Sequence, residues 1–144
     1  MHVRHVKPSD VLYLAQHMKA QDRVELKAAL GLEPLEGLRA SLKDSHLTRT
    51  LEVEGQVVAI GGVTKTFHGG LIWLLTVDSP SAFGKTLTKV ASKRLDVYTQ
   101  ACGIVYNYVA QSNKTTLRWL RRLGFKTGDK CVFRGEPFIL MYRR

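Results

Sequence analysis

The order in which the hydrophobic period changes along the chain constrains its fold more than any other feature. Up to Asp44 apolar residues recur at helical spacing, and beyond Asp44-Ser45 they gather into β-rich runs. Three such runs, Leu47 to Val53, Val57 to Phe67 and Leu71 to Val77, are separated only by Glu54-Gly55 and by His68-Gly69-Gly70. Connections this short join antiparallel neighbours, so the runs read as a meander. The next stretch places Phe83, Leu87, Val90, Ala91, Leu95, Tyr98 and Ala101 on one helical face. Lys85, Lys89, Lys93 and Asp96 lie on the other, and Gly103 stops the helix. Ile104 to Ala110 is again a strand. A helix of that length between two strands is a crossover, which makes the strands parallel and lays the helix on one face of the sheet.

The flanks complete the order. His2 to Val6 reads as a short strand ended by Lys7-Pro8, and Ser9-Asp10 caps a helix carrying Val11, Leu12, Leu14, Ala15 and Met18. A second helical stretch begins at Asp22 and stops at Gly31, and residues 35–43 add a short third. Asn113 opens a basic helix that runs through Leu123 to Gly124-Phe125, and Val132 to Tyr142 closes the chain as one extended run. No repeat, low-complexity stretch or linker interrupts this order. The expectation is one domain over residues 1–144, an α+β fold with a mixed, largely antiparallel twisted sheet and helices on both faces. A chain of 144 residues that is 44% hydrophobic can bury one core of that kind.

Composition bounds the chemistry. No apolar run approaches a bilayer-spanning length, and the start lacks a basic-then-apolar signal segment. Cys102 and Cys131 have no metal-ligand spacing, which points to reduced thiols and no metal site. The formal charge is +10, and residues 84–144 hold all of the excess, with thirteen Lys/Arg against Asp96, Asp129 and Glu136. Such asymmetry suits a polyanionic partner, a phosphate-rich cofactor or nucleic acid, and equally a solvated basic face.

The segment Asn113-Lys-Thr-Thr-Leu-Arg-Trp-Leu-Arg-Arg-Leu-Gly-Phe125 resembles the late motif of the GNAT acetyltransferase superfamily, in which an Asn after the fifth strand precedes a helix ending in Leu-Gly-Phe. A narrower resemblance covers nearly the whole chain. His17-Met18, Asp22-Arg23-Val-Glu25-Leu26, Ile60-Gly-Gly-Val63, Ile72-Trp73-Leu-Leu-Thr76-Val-Asp78 and Leu117-Arg-Trp119-Leu120 look like a podovirus family of internal virion protein A and phage acyltransferases. The resemblance implies a phage-encoded protein in the host bacterial cytoplasm or the virion. It implies acetyl-CoA as cofactor and an amine acceptor, such as a lysine of a host or phage protein.

Carried over by position, the resemblance puts the cofactor beside the fourth strand and the helix after it. The residues concerned are Thr76, Val77, Phe83, Gly84, Lys85 and Thr86, with Asn113 at the late helix. A backbone N–H of Thr76 or Val77 would serve the thioester oxygen. The family's glycine-rich phosphate loop is reduced here to Asp78-Ser-Pro-Ser-Ala-Phe-Gly84-Lys85-Thr86-Leu87, with one glycine, and the family's tyrosine on the late helix falls at Leu120. Asp78, at a strand end, is the candidate base, or else a turn carboxylate. Asp22, Arg23 and Glu25 are candidates for holding a cationic acceptor, or else a surface cluster at i,i+3 spacing. Tyr98, Tyr106, Tyr108, Trp73 and Trp119 read as packing residues. Two functions remain open: an acetyl-CoA-dependent N-acyltransferase, and a catalytically degenerate relative that acts in virion assembly or binds a host factor. Nucleic-acid contact through the basic helices would be salt-sensitive and unspecific.

Overall fold

The computed structural model describes residues 2–78 and 84–144. Its elements follow the expected order as far as α5: β1 (His2–Arg4), α1 (Pro8–His17), α2 (Ala20–Leu30), α3 (Pro34–Asp44), β2 (Leu47–Val53), β3 (Gln56–Thr66), β4 (Gly69–Thr76), α4 (Gly84–Cys102), β5 (Val105–Ala110) and α5 (Lys114–Arg122), followed by β6 (Lys126–Phe133) and β7 (Glu136–Arg143). All seven strands form one sheet in the order β1-β2-β3-β4-β5-β7-β6. Every pairing is antiparallel except β4 with β5, the pair that α4 connects.

Strand alternation divides the core between two faces. Ile60, Leu75 and Val77 pack against Leu14 of α1, Met18 just beyond its end, Leu26 of α2 and Leu38 of α3. Val63, Val109, Ile139 and Met141 pack against Leu95 and Tyr98 of α4 and Leu117 and Leu120 of α5. Helices therefore cover both faces, as the period changes require. Among the described residues no helix is long and apolar enough to cross a membrane.

Local chemistry sets the helix ends. Lys7, not Ser9-Asp10, precedes α1. Pro8 opens the helix, and the Asp10 carboxylate in the first turn accepts the Lys7 N–H at 2.8 Å. The same carboxylate accepts both terminal nitrogens of Arg4 and the Thr50 hydroxyl, tying β1, α1 and β2 together. Burial alone would raise this carboxyl, but the bonds from Arg4, Lys7 and Thr50 outweigh it and hold Asp10 below the usual carboxylate range. Gly124 leaves α5 with φ +94°, a left-handed exit that favours glycine.

One element differs from expectation. The C-terminal stretch is not a single extended run but the hairpin β6–β7, turning at Arg134 (φ 47°) and Gly135 (φ 79°), with β7 inserted between β5 and β6. The earlier turn Glu54 (φ 52°) and Gly55 (φ 79°) has the same geometry. In β6, a polar edge strand from Lys126 to Phe133, a register shift between Thr127 and Lys130 breaks the alternation that would have marked it.

Candidate functional site

The parallel pairing of β4 and β5 stops soon after it begins. Gly70 pairs with Val105 and Leu71 with Tyr106, with the Gly70 N–H donating to the Ile104 carbonyl at 2.9 Å. In a parallel ladder the bonds then alternate between strands, and the next would run from the Tyr108 N–H to the Ile72 carbonyl. The side-chain amide of Asn107 takes both groups instead. Its Nδ2 donates to the Ile72 carbonyl, and its Oδ1 accepts the Tyr108 N–H at 2.6 Å. Beyond this point the strands diverge.

Helix α2 closes the wide end of the gap with two carboxylates one turn apart. Asp22 Oδ2 accepts the Thr76 N–H of β4 at 2.9 Å, and Glu25 Oε1 accepts the Ala110 N–H of β5 at 3.0 Å. Glu25 Oε1 also accepts Asn113 Nδ2 at 3.1 Å, while Asn113 Oδ1 caps α5 through the Thr116 N–H. The α1–α2 junction covers the end of β4, with Lys19 N–H donating to the Thr76 carbonyl and Asp78 N–H to the His17 carbonyl, both at 3.0 Å. Between these fastenings lies Leu74, which points its N–H and C=O the same way as Thr76 by strand alternation. No side chain among the described residues takes either group of Leu74.

The gap opens into a cavity of about 1030 Å³ lined by residues of β1 to β5 and of α2, α4 and α5. Its lining carries charge of both signs, with Lys19 beside Asp22 at α2 and Arg49 on β2. Lys85, Lys89 and Arg94 of α4 and Arg118 and Arg122 of α5 line one side, and none of the five makes an ion pair among the described residues. Asp22 and Glu25 line the α2 side. Burial pushes both carboxyls above the usual range, only partly offset at Asp22 by Lys19 and Thr76 and at Glu25 by Asn113 and Ala110. Trp119 Nε1 donates to Thr88 Oγ1 at 2.9 Å, and Thr88 Oγ1 to the Gly84 carbonyl at 2.8 Å, so α5 braces the first turn of α4.

The expected site residues fall in different places. Thr76, Gly84, Lys85, Asp22 and Glu25 line the cavity. Val77 lies outside it, its N–H donating to the Val58 carbonyl. Thr86 does not line it, Asn113 sits behind Glu25, and Phe83 lies outside the described residues. Arg23 turns away from its two acidic neighbours and donates to the carbonyls of Ala15, Gln16 and Met18 at the end of α1. Asp78 is exposed and lines a second pocket of about 410 Å³ with Tyr13, His17 and Gln56. Leu120 is buried against the cavity, and the phenols lining it are Tyr98 and Tyr108. Asn107 had no part in the expectation, although an asparagine amid Val105-Tyr-Asn-Tyr-Val-Ala110 is a residue that strands disfavour.

No family model matches the chain, and no curated protein matches it in sequence. Solved structures do match in shape. A ribosomal-protein-alanine N-acetyltransferase from Brucella melitensis is 17% identical with a TM-score of 0.70, over 99% of each chain. An acetyltransferase of the GNAT family from Streptococcus pneumoniae is 17% identical with a TM-score of 0.61, over 99% of this chain and 97% of that one. The protein yncA from Salmonella typhimurium, solved with its cofactor acetyl-CoA, is 16% identical with a TM-score of 0.69, over 100% of this chain and 93% of that one. At these identities the likeness establishes the fold, and it is the GNAT fold.

Proposed function

We propose that the protein is an N-acyltransferase that holds acetyl-CoA in the gap between β4 and β5 and passes its acetyl group to an amine. The observation that carries this reading is the open strand edge at Leu74, inside a cavity lined by unpaired cations of α4 and α5 and by two carboxylates of α2. Acetyl-CoA has a matching layout: a phosphate-rich head, an arm with two amides, and a thioester. Lys85, Lys89, Arg118 and Arg122 suit the phosphates, together with the first N–H groups of α4. The N–H and C=O of Leu74 suit the amides of the arm. The residues present therefore fit the cofactor, although residues 79–83 contain no glycine.

Bound there, the cofactor supplies an activated acyl group. The protein supplies position and proton handling. Asp22 and Glu25 attract an ammonium and orient it toward the gap. Glu25, its carboxyl raised by burial and its Oε1 fixed by two donors, takes the proton that the amine must lose. Tyr98, raised by burial despite Arg94 and Arg49, keeps its phenol proton in the cavity, where Leu120 has none to give. Asp78, in the second pocket off the main cavity, ranks behind Glu25 as proton acceptor. The podovirus resemblance makes lysines of host and phage proteins the first acceptors to try.

A second reading, a non-catalytic GNAT-fold protein of virion assembly or host-factor binding, is favoured by Leu120 and by the lone Gly84 of the phosphate loop. Calorimetry with acetyl-CoA, beside thiol release in the presence of polyamines and lysine peptides, separates the two. Binding with turnover supports the enzyme. Binding without turnover on any amine supports the second reading, and no binding removes the cofactor from both.

A further inference from the structure

We infer that Asn107 is the positioning residue that holds the sheet open, replacing one rung of the β4–β5 ladder with its own side-chain amide. The register after Gly70↔Val105 and Leu71↔Tyr106 calls for four more bonds along the two strands. They would join Tyr108 N–H to Ile72 C=O, Leu74 N–H to Tyr108 C=O, Ala110 N–H to Leu74 C=O, and Thr76 N–H to Ala110 C=O. The first is intercepted at both ends by Asn107. The third loses its donor to Glu25, and the fourth its donor to Asp22, while Asn113 N–H takes the Ala110 carbonyl at 2.9 Å.

A primary amide is suited to this position because it carries a donor and an acceptor, as a peptide group does. It satisfies a carbonyl on one strand and an N–H on the other while standing between them. A carboxylate would repel the Ile72 carbonyl, and an apolar side chain would leave both groups to find each other. Opening also needs no irregularity in β4, whose pairing with β3 runs without a register shift from Ala59↔Thr76 to Thr66↔Gly69. The gap is thus built by three side chains, and the Leu74 edge stays free without any ligand to prise it apart.

The importance of this edge for a cofactor rests on the acyltransferase reading; the opening itself does not. Amide hydrogen exchange on the ligand-free protein reads the opening directly. In Asn107→Val the rung re-forms and the next closes behind it, so the Leu74 amide exchanges at least about tenfold more slowly than in the wild type, while the Tyr108 amide only changes its acceptor. In Asn107→Asp, which keeps an acceptor but no donor, the Leu74 amide is not slowed. Slowing in the Val variant together with weakened coenzyme A binding supports both the wedge and the acyltransferase reading. Slowing with no coenzyme A binding by the wild type keeps the wedge and sinks the cofactor. A folded Val variant with unchanged or faster exchange at Leu74 overturns the proposal. Should the Val variant not fold, scalar coupling across the hydrogen bond from Asn107 Nδ2 to the Ile72 carbonyl in the wild type decides. Its presence supports the wedge and its absence overturns it.

Discussion

The carboxylate of Asp22 accepts the backbone N–H of Thr76 at 2.9 Å, so a helix side chain occupies the place of a strand neighbour at the last residue of β4. The group is buried, with Lys19 Nζ 3.7 Å from its other oxygen, and burial raises its carboxyl above the usual range. A raised folded-state value means that stability present below the unfolded value is lost as pH rises through the folded one. Asp22→Asn keeps an acceptor for Thr76 without the buried charge. Its melting temperature is expected to compare best with the wild type at neutral pH, with the difference moving in favour of the wild type as pH falls toward the ordinary carboxylate range. Asp22→Leu leaves the Thr76 N–H without a partner and costs about 1–3 kcal/mol. Melting curves of the three proteins across pH check both statements.

Glu25 and Asp78 make different demands on the kinetics. Glu25→Gln retains an acceptor for Ala110 and Asn113 but cannot take a proton. Thiol release with the best amine is expected to fall about 10²-fold or more, with the melting temperature nearly kept. Asp78→Asn is expected to stay within about threefold, because Asp78 lies off the main cavity. The reverse ranking would move the proton acceptor to the end of β4.

Two glycines test the frame by different physics. Gly124→Val has room for its Cβ, whose nearest neighbour would be Arg143 Nε at 3.5 Å, so its cost is the backbone at φ +94°. That cost is about 1–2 kcal/mol. Gly62→Ala has no positive φ, but its Cβ would stand 2.7 Å from the Leu47 carbonyl and 3.0 Å from Trp73 Nε1, so β2 or Trp73 must shift. Both variants are expected to melt below the wild type, and only Gly62→Ala to disturb the Trp73–Ser45 bond, which tryptophan fluorescence reports.

Much of this frame is legible before any coordinates. Glycine at 31, 103 and 124 ends three helices as the period changes suggest, and the turn at Glu54-Gly55 separates β2 from β3. The matching turn at Arg134-Gly135 was hidden because β6 is a polar edge strand, with a break in register where alternation was needed. The site was less legible for a related reason. The spacing of Asp22 and Glu25 puts both on one face of α2, but spacing alone does not distinguish a solvated face from one turned onto the open sheet. Asn107 contributes through a bond to a strand distant in sequence, and only its poor fit to a strand marked it.

The basic side of the cavity separates a compact anion from a long one. Duplex DNA would engage Lys89, Lys93, Arg118, Arg121 and Arg122 together, each phosphate contact adding about 0.9 to the slope of log affinity against log salt. Binding to DNA or RNA is expected to be weak and nearly gone at physiological salt. Charge reversal at Arg118, Arg121 and Arg122 should flatten the slope that remains. Tight, sequence-selective binding at about 0.2 M salt would assign the basic helices to a nucleic acid instead.

The most direct measurement is the thermal stability of the protein against acetyl-CoA concentration, for the wild type and Lys85→Glu side by side. A ligand that binds only the folded state adds about 2.7 kcal/mol at one hundred times its dissociation constant. The wild type is expected to show a steadily rising melting temperature, and Lys85→Glu to need about tenfold more acetyl-CoA for the same rise. A wild-type melting temperature that does not move at millimolar acetyl-CoA would contradict the account.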